Sequence, residues 1–151
     1  MKAFGILLII VGIICGLLGA RSYWQDNTYK KASIAVKASV VSVEVKPMSG
    51  KAVASIKMVL SYLRDGVADS TAHNFSMAYT NKNPLPAVQE LQASLLYVHY
   101  VPRVKRSETS YPNRVVVSGN GVYDGFYNRA LFGQMFTFVL LGFMVRKFGK
   151  K

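Results

Sequence analysis

The chain has 151 residues, 19 Lys and Arg against 7 Asp and Glu, and a hydrophobic fraction of 51%. A net charge of +12 on a chain of positive mean hydropathy excludes a disordered basic tail. It also argues against a plain nucleic-acid coat, because the apolar residues must be concentrated somewhere. The length suits one modest domain.

Residues 3–20 (AFGILLIIVGIICGLLGA) carry no polar or charged side chain. At 1.5 Å per residue such a helix reaches roughly 27 Å, close to the hydrocarbon thickness of a bilayer. Lys2 and Arg21 bracket it, and Tyr23 and Trp24 stand where an interfacial aromatic belt would lie. A cleaved signal peptide would share the basic start. The run is longer than such a peptide needs, and Leu18-Gly19-Ala20 is a poor A-x-A site. Ile14 before Cys15 does not make a lipobox. The expectation is an uncleaved transmembrane helix over residues 1–22.

Alternation predicts strands next. Val41, Val43 and Val45 alternate with Ser42, Glu44 and Lys46. Pro47-Met48-Ser49-Gly50 is a turn signal, after which Ala54, Ile56, Met58, Leu60 and Tyr62 share one face of a second strand. Asp65-Gly66 marks a hairpin. A third strand over 67–78 places Phe75 and Met77 together. Asn83 and Pro84 read as the cap and first residue of a short helix carrying Leu85, Val88, Leu91 and Leu95. Strands are then predicted over 96–101, with Tyr97 and His99 opposite Val98 and Tyr100, and over 114–117. The middle of the chain, residues 23–124, therefore reads as a mainly antiparallel β-sandwich or barrel-like domain with one short helix.

The Val-rich strand, the hairpin Tyr62-Leu63-Arg64-Asp65-Gly66, the short helix and the stretch Tyr97-Val98-His99-Tyr100-Val101-Pro102 together resemble the bacterial domain-of-unknown-function 3592 family. That family has a Y-x-x-x-G hairpin, a helix and a V-x-Y-Y-[DN]-P strand end, often beside transmembrane helices. The likeness covers roughly residues 32–112. It departs at Val101, where the family places Asp or Asn, and in lacking a second Asn-Pro turn. What the resemblance implies is a fold and a membrane address. It brings no catalytic residues with it.

A second apolar run occupies residues 130–145, and residues 125–128 extend it if Arg129 snorkels. Tyr123, Phe126 and Tyr127 supply interface aromatics on that side. A second transmembrane helix is thus expected over 125–146, followed by a basic tail, 147–151, of the stop-transfer kind. Positive charge at both ends places both termini in the cytoplasm of a bacterial inner membrane, with the central domain extracytoplasmic.

His73 and His99 lie on strands outside any nucleophile–base motif, so no catalytic residues and no enzyme are expected, an envelope hydrolase being the least favoured reading. With one cysteine and two histidines, no metal or cofactor is expected either. Arg103, Lys105, Arg106 and Arg114 form a candidate anion patch. On the expected topology it faces away from nucleic acid and towards lipid headgroups or an anionic envelope polymer. Within the spans, Gly5, Gly12, Gly16 and Ala20 form a ladder of small residues, and Gly133, Gln134, Thr137 and Gly142 offer small and polar groups on the second helix. These point to helix packing, between the spans or with another membrane protein. The expected role is protein–protein contact, as an accessory, assembly or modulatory subunit of a membrane complex. The partners would be membrane lipids and another membrane protein or a second copy. The alternative is a membrane-anchored module that binds anionic ligands. No small-molecule substrate is inferred.

Overall fold

Helix α1 (Lys2–Ala32) and helix α3 (Ala130–Phe148) bracket five strands and a short helix α2 (Val88–Gln92) in a computed structural model that describes residues 2–50, 52–123, 125 and 130–148. The chain divides into two units, residues 1–31 with 125–151, and residues 32–124.

In the first unit both helices are long and apolar enough to cross a membrane, by length and composition. α1 continues past the expected end at residue 22 to Ala32. No Gly or Pro interrupts residues 21–32, and Lys30 and Lys31 in the last turn suit the negative end of the helix dipole. α3 begins at Ala130 and runs to Phe148, past the expected end at residue 146. Phe126, Tyr127 and the rest of the stretch where the second span was expected to begin lie outside the described residues.

The second unit is one curled antiparallel sheet of order β3-β2-β1-β4-β5, with β1 Ile34–Pro47, β2 Val53–Arg64, β3 Val67–Ala78, β4 Leu96–Tyr100 and β5 Val115–Ser118. A sandwich would need two sheets, so of the two expected architectures only the barrel-like curl is present. β1 causes it. Its first half, residues 34–38, pairs with β4, and its second half, from Ser39 onward, pairs with β2. Beyond Ser61, β2 pairs only with β3, and its end bends over β4 so that the rings of Tyr62 and Tyr100 lie 5.9 Å apart.

The β2–β3 hairpin forms as the sequence predicts, with Asp65 (φ 50°) and Gly66 (φ 82°) as its two-residue turn. The predicted inner face of β2 is also observed: Ala54, Ile56, Met58, Leu60 and Tyr62 are all buried. β1 departs from its expected phase. A bulge between Val40 and Ser42 makes Val41 an extra residue, 61% exposed, and Val40 takes the inward position with Val43 and Val45. Simple alternation cannot register one inserted residue.

α2 starts later than expected. Pro86 disfavours helical conformation at Leu85, so the helix begins after Ala87, whose N–H donates to Glu90 Oε2 at 3.2 Å. Asn83 belongs instead to a turn with Thr80, whose hydroxyl accepts the Asn83 N–H at 3.1 Å. Leu91 carries α2 onto the core against β1. A 3-10 helix, Arg103–Glu108, which the sequence did not announce, follows β4.

Candidate functional site

The helix pair of the first unit packs through glycine. From residue 3 to residue 26 of α1 the buried positions are Gly5, Gly12, Gly19 and Asp26, seven residues apart. A Cβ on Gly5 would meet the Gly142 carbonyl oxygen at 2.9 Å, and one on Gly12 would meet the Val139 side chain at 2.7 Å. A Cβ on Gly16 would meet the Met135 sulfur at 2.5 Å, and one on Gly19 would reach Leu131 and Phe132 at 3.4 Å. As α1 advances its partners step backward along α3, so the helices are antiparallel. From the other side, a Cβ on Gly142 would sit 2.7 Å from the Gly5 carbonyl oxygen. Backbone meets backbone there.

This seam sorts the expected packing residues. Gly5, Gly12, Gly16 and Gly142 lie in it. Ala20 is exposed, and Gly19 stands in its place. The reason is phase: four-residue steps drift about 40° around a helix each time, and seven-residue steps only about 20°. Gly133 has open space at its Cβ position, and Gln134 and Thr137 are exposed. Thr137 Oγ1 donates to the Gly133 carbonyl at 3.0 Å, within its own helix and not across the pair. Tyr23 and Trp24, expected at an interface, are 54% and 61% exposed on α1.

In the sheet unit the charged side chains gather at the β2–β3 turn. Asp65 N–H donates to the Tyr100 hydroxyl at 2.9 Å, and Asp65 Oδ2 accepts the Arg103 N–H at 3.3 Å, so the turn is tied to the end of β4 and the 3-10 helix. One residue along the β3 face, Asp69 accepts from Ser70 N–H at 2.8 Å and from the Tyr62 hydroxyl at 3.0 Å. Those two bonds, with Arg64 beside them, hold the Asp69 carboxyl below its ordinary range. Burial, and then the Asp69 carboxylate, push the Tyr62 phenol up to about 12. Arg64, Asp65, Val67, Asp69, Arg103 and Arg106 line a cavity of about 310 Å³ between the turn and the 3-10 helix.

The expected anion patch is thereby divided. Arg103 and Arg106 line this cavity. Lys105 is half-buried and does not, and Arg114 lies over the Tyr111 ring, 5.6 Å from its centroid. Arg64, absent from the patch as read from sequence, joins it through the fold. The sequence held one signal for it, its place beside the Asp65-Gly66 turn. Nothing in spacing says which later segment would land on that turn.

The histidines differ from each other. His99 is buried on the outer face of β4, with Nε2 3.0 Å from the Ser118 hydroxyl and the Tyr123 ring edge-on at 5.6 Å. Tyr123, expected at a membrane interface, thus packs within the sheet unit. Gly121 (φ 73°) lies over the Tyr97 ring, where a Cβ would meet it at 3.4 Å. The 118–123 segment therefore covers the outer face of β4. Ser118 is as enclosed as His99, which suits an internal clamp between β4 and β5. His73 is half-buried beside Phe75, ring centroids 5.2 Å apart, and burial lowers its pKa. Among the described residues no group of three His, Cys, Asp or Glu side chains is placed to hold a metal ion. Comparison with protein-family models, curated proteins and solved structures gave no match to the chain.

Proposed function

We propose that the chain is a small integral protein of a bacterial inner membrane. Both termini are cytoplasmic and the β unit is extracytoplasmic. It acts by protein–protein contact, as an accessory, assembly or modulatory subunit of a membrane complex. One observation carries this reading: over residues 3–20 of α1 and along α3 the helix pair is packed inside out, glycines within and large apolar side chains without. Phe4, Ile10, Leu17, Phe136, Leu140 and Phe143 are between 48% and 67% exposed. In water a surface of that kind drives association; against lipid tails it is at home. The basic residues Lys2, Arg146 and Lys147 at the far ends of the two helices favour a cytoplasmic placement for those ends.

Contact with another protein is supported by the outward side of α3. Ala130, Gly133, Gln134 and Thr137 recur at three- and four-residue spacing on one face, and all are exposed. Small residues that admit a close helix, beside a side-chain amide seeking a hydrogen bond, suit a further transmembrane helix. Reporter fusions at Thr80 and after Lys151 test the topology, and the expected result is an extracytoplasmic Thr80 with a cytoplasmic tail. A cytoplasmic Thr80 overturns the orientation, and release from membranes by alkaline carbonate overturns the membrane placement. Detergent extraction should yield the chain with a partner or a second copy, and Gly133→Leu should strip that partner away. A lone monomer in gentle detergent overturns the contact role.

A further inference from the structure

We propose that the cavity between the β2–β3 turn and the 3-10 helix is a binding site for a single phosphate group. Three guanidinium groups line it, those of Arg64, Arg103 and Arg106. Their donors outnumber the acceptors around them. Arg64 donates to Asp69 Oδ2 and to the Pro112 carbonyl, each at 3.5 Å, the outer limit of a hydrogen bond, and its guanidinium lies over the Tyr100 ring, 5.7 Å from the centroid. Among the described residues the Arg103 and Arg106 side chains have no acceptor, and the Nε atoms of Arg64 and Arg106 are buried without one. A guanidinium that has given up water and gained no acceptor is a cost to the fold. An anion bound through the outer nitrogens leaves those two Nε atoms unpaired, but it supplies acceptors to the remaining donors and opposes the excess positive charge.

The two carboxylates in the wall do not fill that role. Asp69 already accepts from Ser70 N–H and the Tyr62 hydroxyl, and Asp65 from the Arg103 N–H. Three cations against two anions leave the site one positive charge in excess, before Lys105 nearby is counted. Phosphate is favoured over carboxylate by its geometry, because its oxygens point along tetrahedral directions and can engage three guanidinium groups together. A carboxylate presents two oxygens in one plane. About 310 Å³ is also at the small end of ligand cavities, room for one headgroup or one phosphorylated small molecule. The site lies wholly within the sheet unit, so it stands or falls independently of the membrane reading.

Calorimetric titration of the full chain in a maltoside detergent, which carries no phosphate, tests the proposal. Inorganic phosphate is one probe and short-chain phosphatidic acid in the same micelles is the other. Arg106→Gln and Arg103→Gln should each weaken binding by about tenfold, while Arg114→Gln, outside the cavity, should leave it within about twofold. A response to both probes with that pattern identifies a free phosphate site. A response to phosphatidic acid alone, with the same pattern, identifies a lipid headgroup site. No binding of either probe overturns the proposal. Equal weakening by Arg114→Gln shows diffuse charge and overturns it, and acetate competing as well as phosphate overturns the phosphate class.

Discussion

The two units of this chain bury opposite things. In the sheet unit the large apolar side chains Ile56, Leu60, Val98 and Val101 are fully enclosed, and Lys37, Lys57 and Lys82 lie on or toward the surface. In the helix pair, over residues 3–20 of α1 and along α3, the enclosed positions are glycines, and Ile, Leu and Phe lie outside; Asp26 and Tyr29 are enclosed further along α1. The difference teaches what holds each together. A sheet curled in water gains from removing apolar area, at roughly 25 cal/mol per Å². On the membrane reading proposed above, a helix pair in lipid has no such gain between its helices, so close backbone approach supplies the attraction, and small residues, glycine above all, allow it.

The contrast can be broken most directly in the sheet core. Leu60→Ala should cost about 2–5 kcal/mol, as deletion of a fully enclosed side chain does, while Leu63→Ala, on the exposed side of the same strand, should stay within about 0.5 kcal/mol. Thermal unfolding of the full chain in detergent checks both, and similar losses at the two sites would show that the core is not where the burial pattern puts it. In the helix pair the rule inverts, so adding bulk is what harms. Gly142→Leu must push against the Gly5 carbonyl and should cost about 1–3 kcal/mol, against little effect on the pair from Gly133→Leu, where the space is open. A tolerated Gly142→Leu would mean the helices do not pack along this seam.

Smaller effects sharpen the picture of the charged turn. Tyr62→Phe removes the hydroxyl that donates to Asp69 and should cost about 1 kcal/mol at neutral pH. The phenol of Tyr62 is raised to about 12 in the folded chain. Its contribution is therefore complete below its unfolded value near 10 and is lost as pH rises from there through about 12. Unfolding measured across that window should show the loss in the parent chain and not in Tyr62→Phe. Smallest of all is His73. Burial disfavours its charged form, so its contribution is complete above about 6.5 and declines as pH falls below that value. His73→Gln should flatten that acid limb of the stability profile.

Much of this architecture could be read in advance where the cause is local. The β2 inner face and the Asp65-Gly66 hairpin follow from alternation and from a turn that needs positive φ. The two apolar helices follow from composition alone. The errors came where a single residue shifts a phase. The alternation of Val41, Val43 and Val45 is broken by the bulge at Val41, and between the two spans the seam runs through Gly19, with Ala20 on the exposed side. Asn83 looked like a helix cap, but Pro86 delays the start of α2. In each of these three a pattern read over a few residues is displaced: by an inserted residue at Val41, by helix phase at Ala20, and by Pro86 at Asn83.

The sequence by itself determined that the chain holds two long apolar helices with basic ends and, between them, a strand-rich region with one tight hairpin. These depend on side-chain polarity and backbone preference within a dozen residues. Only the tertiary structure decided that Arg64 should share a cavity with Arg103 and Arg106. It follows from the sheet order, in which β4 pairs with the first half of β1 and carries the 3-10 helix onto the β2–β3 turn. Partners nearly forty positions apart are chosen by which strands can pair while burying one common core, and no local pattern encodes that choice.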